Sequence, residues 1–145
     1  MKIGIGSDHR GYILKKEIIE DLKKEGYEVI DYGTDTKEAV DYPDFGFKVG
    51  EAVRDQKVES GILICGTGIG ISIAANKVKG VRCAKVDSKE DAMYAHLHNN
   101  ANCISFSAAT SLDKALSIVY TYLGTAFSEE ERHHRRVDKI NRYEV

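Results

Sequence analysis

Short runs of β-forming residues alternate with segments whose apolar residues have helical spacing, and this alternation limits the fold more than any other feature. The β-rich runs cover residues 2–6, 28–33, 61–65, 81–86 and 102–106. Strands that alternate with helices form a parallel sheet covered on both faces, joined by right-handed crossovers. The nearly continuous apolar character of the runs is typical of buried parallel strands. The sequence therefore predicts a doubly wound, Rossmann-like three-layer α/β sandwich with a five-stranded parallel sheet.

The helical segments carry their own boundary signals. The first of them ends at Gly26, a residue suited to a helix C-terminus, and places apolar side chains at helical spacing at Ile13, Leu14, Ile18 and Leu22. The tail from Ser128 is predicted to form a final, highly charged helix. Its acidic residues come first and its basic residues follow, which matches the helix dipole.

Length and composition favour one domain over residues 1–145, since the chain has a single proline and no low-complexity tract. The net charge of -2 gives no basic field for nucleic acid or an anionic membrane. The N-terminus lacks the regions of a secretory signal, and no stretch approaches the roughly 20 apolar residues of a membrane span. We expect a cytoplasmic protein with a small-molecule partner.

A glycine-rich loop, CGTGIG at 65–70, follows the third predicted strand. It opens a segment of small residues, so its backbone amides are expected to face an anion or oxyanion. It matches neither the dinucleotide fingerprint nor the P-loop. Cys65 would lie at the strand end, where those amides favour a thiolate that acts as a nucleophile or base. The motif alone is also compatible with a tight turn beside a buried cysteine.

Further polar residues lie where ligands bind open parallel sheets, beyond the carboxyl ends of the strands. Asp8 and His9 follow the first strand, and Tyr42 follows the loop after the second. In the tail, Arg132 and Arg136 are four residues apart, so both can clamp one phosphate, although a solvated charged helix has the same pattern. No metal site is expected, because neither the cysteines nor the histidines have ligand spacing.

Taken together, six motifs resemble the B-type ribose-5-phosphate isomerase family, which includes galactose-6-phosphate and allose-6-phosphate isomerases. They are SDHRG at 7–11, EVIDYGT at 28–34, DYPDF at 41–45, ILICGTGIGISIAANKVKGVR at 62–82, HNNAN at 98–102 and RHHRRVDKI at 132–140. The resemblance implies a cofactor-free interconversion of ribose 5-phosphate and ribulose 5-phosphate. It also implies a homodimer or homotetramer whose subunits share the active sites.

The resemblance assigns roles residue by residue. Cys65 matches the catalytic base, His98 matches the acid that opens the sugar ring, and the Thr67 hydroxyl would help to stabilise the enediolate. The remaining matches fall on substrate-binding positions: Asp8, His9, Tyr42, Gly66, Gly68, Ile69, Gly70, Asn99, Arg132 and Arg136.

One departure from the family pattern concerns the substrate. Ala109 stands where the resemblance implies a phosphate-contacting arginine. Allose 6-phosphate or galactose 6-phosphate therefore stays open as the substrate. A hypothesis from another class, a non-catalytic phosphate- or nucleotide-binding module, depends on the predicted fold alone.

Overall fold

A computed structural model describes residues 1–143 of the chain and contains the predicted parallel sheet. The strands are β1 (Lys2–Ser7), β2 (Glu28–Asp31), β3 (Ser60–Cys65), β4 (Cys83–Lys85) and β5 (Cys103–Ser107). The helices are α1 (Tyr12–Lys24), α2 (Tyr42–Arg54), α3 (Ile69–Asn76), α4 (Lys89–Leu97), α5 (Leu112–Gly124) and α6 (Glu131–Arg142). A short 3-10 turn over His9–Gly11 joins β1 to α1.

The five strands pair in parallel in the order β2-β1-β3-β5-β4, with helices on both faces. One core cluster includes Ile18 of α1 and Ile118 of α5, and the other includes Val49 of α2 and Ile71 of α3. The chain leaves β1 toward one edge for β2 and returns across β1 to form β3. The carboxyl ends of β1 and β3 therefore meet at a topological switch point, where open α/β sheets bind ligands.

The predicted fold class is confirmed, and the differences concern element ends. The fourth run was predicted over 81–86, but the strand is shorter because the amide of Val81 bonds Val78 and that of Arg82 bonds the Asn102 side chain. The charged helix begins at Glu131, three residues after the predicted start. Ile13, predicted among the apolar residues of α1, is exposed, whereas the three other apolar positions are buried.

Candidate functional site

Cys65 ends β3 with its side chain buried, at 4% exposure. The amide of Gly68 donates a hydrogen bond to Cys65 Sγ over 3.2 Å. Gly68 can turn its amide back toward the thiol because it has a φ of +80°, a conformation that favours glycine. The bond places a backbone N–H donor directly against the sulfur atom, at the start of the glycine loop.

Two serines of the neighbouring strand β5 hold the glycine loop in place. Ser105 Oγ donates to the carbonyl of Gly68 over 2.7 Å, and Ser107 Oγ donates to the carbonyl of Gly66 over 2.7 Å. These bonds fix two carbonyls of the glycine loop to β5. The sequence analysis did not select either serine, although polar residues inside an apolar strand were a visible signal.

The mouth of the loop is surrounded by Thr67, Ile69, Gly70 and Tyr42. The exposed Thr67 accepts the amide of Ile69 at its Oγ1 over 3.1 Å, an arrangement that starts α3. The Tyr42 ring packs against Gly70 so closely that a Cβ at this glycine would lie 2.5 Å from the ring. Tyr42 therefore lies at the same loop as Cys65, and its role as a substrate-binding residue stays a prediction.

Asp8 and His9 reach this site from the end of β1. Asp8, 5% exposed, accepts the amides of Arg10 and Gly11 at its Oδ1 over 3.0 and 3.2 Å. His9 Nδ1 accepts the amide of Val40 over 3.2 Å. In the neutral ring the proton then lies on Nε2, which remains able to donate to an anionic ligand.

An ion pair between a buried lysine and a partly exposed aspartate supports the loop that carries Val40 and leads into α2. Lys15 of α1 is fully buried, and its Nζ donates to Asp31 Oδ1 over 2.6 Å and to the Thr34 carbonyl over 2.7 Å. The pair ties the end of β2 to α1. We name the assembly of Asp8, His9, Tyr42, Cys65 and residues 66–70 the cysteine half-site.

His98 lies in a second group, at the C-terminal end of α4. Its ring stacks on Tyr94 with centroids 4.8 Å apart and contacts the His133 ring of α6 at 4.4 Å. His133 is buried, and burial first and the neighbouring His98 second lower its pKa below the usual value. Sequence analysis did not select His133 or Tyr94, because the contact between α4 and α6 is tertiary.

Asn99 and the two arginines accompany this second group. Asn99 is exposed directly after His98, and Arg132 and Arg136 are exposed on α6. Arg132 forms a surface ion pair with Glu130, at 2.8 Å. We name the group His98, Asn99, Arg132 and Arg136 the histidine–arginine half-site.

The sheet register keeps the two half-sites of one chain apart. Cys65 pairs with Ser107, whereas Gly61 pairs with Cys103 at the other end of β5. Each strand residue adds about 3.3 Å, so the start of β5 lies about 13 Å from Cys65. Helix α4 runs from the carboxyl end of β4 back to the start of the parallel strand β5, and His98 lies at the C-terminal end of α4. One chain therefore does not bring His98 and Cys65 together.

Residues 1–143 form neither a metal-binding cluster nor a membrane-spanning helix. Within them, no group of three or more histidine, cysteine, aspartate or glutamate side chains is arranged to hold a metal ion. No helix formed by these residues has the length and apolar character to cross a membrane.

Comparisons with known proteins find relatives along almost the whole chain. A family model described as ribose/galactose isomerase matches residues 3–140. Ribose-5-phosphate isomerase B of Escherichia coli (strain K12) is 44% identical over 144 residues, which cover 99% of this chain and 96% of that protein. The structure of Clostridium thermocellum ribose-5-phosphate isomerase B is 55% identical, covers 98% of this chain and 96% of that chain, and has a TM-score of 0.95. Mycoplasma genitalium ribose-5-phosphate isomerase B, with bound ribulose-5-phosphate, is 46% identical, with a TM-score of 0.92 and coverage of 98% and 95%.

Proposed function

Since the chain belongs to the ribose/galactose isomerase family, we propose that it interconverts ribose 5-phosphate and ribulose 5-phosphate. The observation that carries the proposal is the cysteine half-site, in which a buried thiol at a strand end accepts an amide of a glycine loop. Isomerisation of an aldose to a ketose needs a base next to a carbonyl and donors for the resulting oxyanion. The base and the donors for the oxyanion both have candidates in residues 65–70.

Cys65 is the base in this proposal. As a thiolate it takes the proton from C2 of the open-chain aldose, and the negative charge moves onto the carbonyl oxygen to give an enediolate. The thiol then returns the proton to C1, while a proton moves between the two oxygens. The loop amides and the Thr67 hydroxyl stabilise the enediolate, because donors fixed before the reaction need no reorganisation when charge develops.

The remaining site residues bind the sugar phosphate and open its ring. His98 acts as the acid in ring opening, and Asp8, Tyr42 and Asn99 contact the sugar. Arg132 and Arg136 bind the phosphate together with His9. Binding energy from the unreactive phosphate holds the reacting carbons against Cys65.

Two copies of the chain form each active site in this proposal, in a homodimer or homotetramer. The distance that the register places between the half-sites supports it, since His98 must come from a partner subunit to reach the sugar. A face for that partner is present beside the loop, where α3 exposes Ile69 and Ile73 at 52% and 59%. These residues are four apart, so they lie on one helix face and offer apolar area to a second copy.

The activity is tested with purified wild type and Cys65→Ala on ribose 5-phosphate, with ribulose 5-phosphate as the measured product. The wild type should turn over and the variant should lose nearly all of kcat. Allose 6-phosphate and galactose 6-phosphate serve as comparison substrates, and the preferred sugar is the one with the highest kcat/KM. Absence of turnover on all three by the wild type would leave a phosphate- or nucleotide-binding module.

Shared sites are tested by mixing Cys65→Ala with His98→Ala after mild dissociation and reassociation. Each variant alone should be nearly inactive. A mixed dimer regains one intact site, so random mixing should restore about a quarter of the wild-type activity per subunit. No recovery, despite mixed dimers seen by native mass spectrometry, would contradict the sharing of sites.

A further inference from the structure

A guanidinium group lies at the cysteine half-site without a role in the reaction described above. A Cβ added to Gly66 would lie 2.7 Å from Arg10 Nη1 and 3.1 Å from Arg10 Cζ. The guanidinium therefore packs against the residue that follows Cys65, in space that a side chain at position 66 would occupy. The Arg10 backbone is fixed, because its amide donates to Asp8 Oδ1 over 3.0 Å.

Arg10 differs from most other described arginines, whose side chains have partners within the chain. Arg54 pairs with Asp55, and Arg135 pairs with Glu131. Within residues 1–143, the Arg10 side chain has no hydrogen bond or ion pair, and the residue is exposed. Its forked donors are therefore directed to solvent at the mouth of the loop, where a ligand can accept them.

The sheet order explains why this residue reaches the loop. Strands β1 and β5 flank β3, so the segments that follow them flank Gly66. The segment after β5 carries Ala109, whose amide bonds Ser107 and whose side chain has no charge. The segment after β1 carries Arg10. The cysteine half-site thus receives a full positive charge from its own chain through the β1 side.

We propose that Arg10 is a further substrate-binding residue, which contacts the phosphate of the sugar phosphate from the same subunit that supplies Cys65. The inference rests on the proposed function and adds a specificity residue to it. A guanidinium presents paired N–H donors that match phosphate oxygens, which makes it better suited to this anion than to a single carbonyl oxygen. The glycine-loop amides already serve the enediolate oxygen, so Arg10 acts on binding and not on the chemical step.

The test compares wild type, Arg10→Ala and Arg10→Lys in steady-state kinetics on ribose 5-phosphate, with inorganic phosphate as a competitive inhibitor. Arg10→Ala should raise KM and the phosphate inhibition constant together, by about tenfold, with kcat within about twofold. The KM and the inhibition constant of Arg10→Lys should lie between those of the wild type and Arg10→Ala, since lysine keeps the charge and loses the paired N–H donors. Arg54→Ala, which removes an exposed paired arginine outside the site, should match the wild type.

A second variant tests the placement against Gly66. Gly66→Ala puts a methyl group where the guanidinium lies, so it should raise KM in the wild type and add little in an Arg10→Ala background. Fully additive effects on KM would contradict the placement. Unchanged KM and inhibition constant in Arg10→Ala would overturn the proposal, and so would a loss confined to kcat, which would assign Arg10 to the enediolate.

Failure of the proposed function has a different signature. A wild type without isomerase activity would refute that function, whereas Arg10 could still be tested by the rise in melting temperature that inorganic phosphate produces. A phosphate-dependent rise in the wild type that Arg10→Ala lacks supports phosphate binding by Arg10. An equal rise in both proteins contradicts it.

Discussion

Replacing Gly68 with alanine should destabilise the protein far more than the same replacement at Gly26 or Gly80, two other glycines of positive φ. A Cβ at Gly68 would lie 2.6 Å from the carbonyl carbon of Phe106 and 2.8 Å from its Cα. Both are backbone atoms of the buried strand β5, so they cannot rotate away. The left-handed conformation costs alanine about 1 kcal/mol, and overpacking against fixed atoms adds about 2–3 kcal/mol.

Gly26 and Gly80 supply matched controls for that prediction. Their φ values are +89° and +85°, and a Cβ at either would meet no atom within 4 Å. Alanine there should cost only the conformational part, about 1 kcal/mol, or about 3–4 °C in melting temperature for a chain of this size. Gly68→Ala should lower the melting temperature by about 10 °C.

Urea titrations and thermal melts at one fixed protein concentration measure these differences, since melting of an oligomer depends on concentration. Gly68→Ala should also lower kcat, because the altered amide is the one that donates to Cys65 Sγ. The reasoning fails if Gly68→Ala melts within about 2 °C of the two controls, because backbone contact would then carry no cost.

Two further predictions concern ionisable groups of the core. Lys15→Met should lower the free energy of unfolding by about 2–3 kcal/mol, because it breaks the pair of a fully buried ammonium with Asp31, which is itself 34% exposed. Lys24→Met, at an exposed pair, should lower it by less than about 0.5 kcal/mol. Equal losses of unfolding free energy in urea titrations would contradict this prediction. Because the pKa of His133 is lowered, the folded chain binds a proton at this residue less readily than the unfolded chain does. The contribution of His133 to stability is therefore present above the usual pKa of 6.5 and declines as the pH falls below that value. His133→Phe should therefore reduce the loss of unfolding free energy between about pH 7 and about pH 5. An unchanged loss would refute the role of His133 in this pH dependence.

The sequence predicted most of the fold because its signals are local. Apolar periodicity gave the order of strands and helices, and Gly26 gave the end of α1, since both depend on residues only a few positions apart. The start of β4 was predicted less well. The amide of Arg82, directly before the strand, donates to the side chain of Asn102, twenty residues away, and no local pattern reports such a bond.

The candidate site divides in the same way. Cys65, the glycine loop, Asp8 and His9 were found in sequence because parallel strands present their carboxyl ends at one edge of the sheet. Serines 105 and 107 were missed, because their hydrogen bonds to the loop depend on β5 lying beside β3. Strand order is a tertiary property that the spacing of residues along one chain does not encode.

The sequence by itself therefore determined the kind of fold, the family and the place of Cys65 at the head of a glycine loop. Tertiary structure alone decided that Arg10 lies against Gly66, that His98 contacts His133, and that a strand length separates His98 from Cys65. The physical reason is that the two kinds of interaction act over different distances along the chain. Backbone preferences and periodicity act over one turn or one strand, whereas side-chain contacts and sheet register arise when distant segments pack and exclude water.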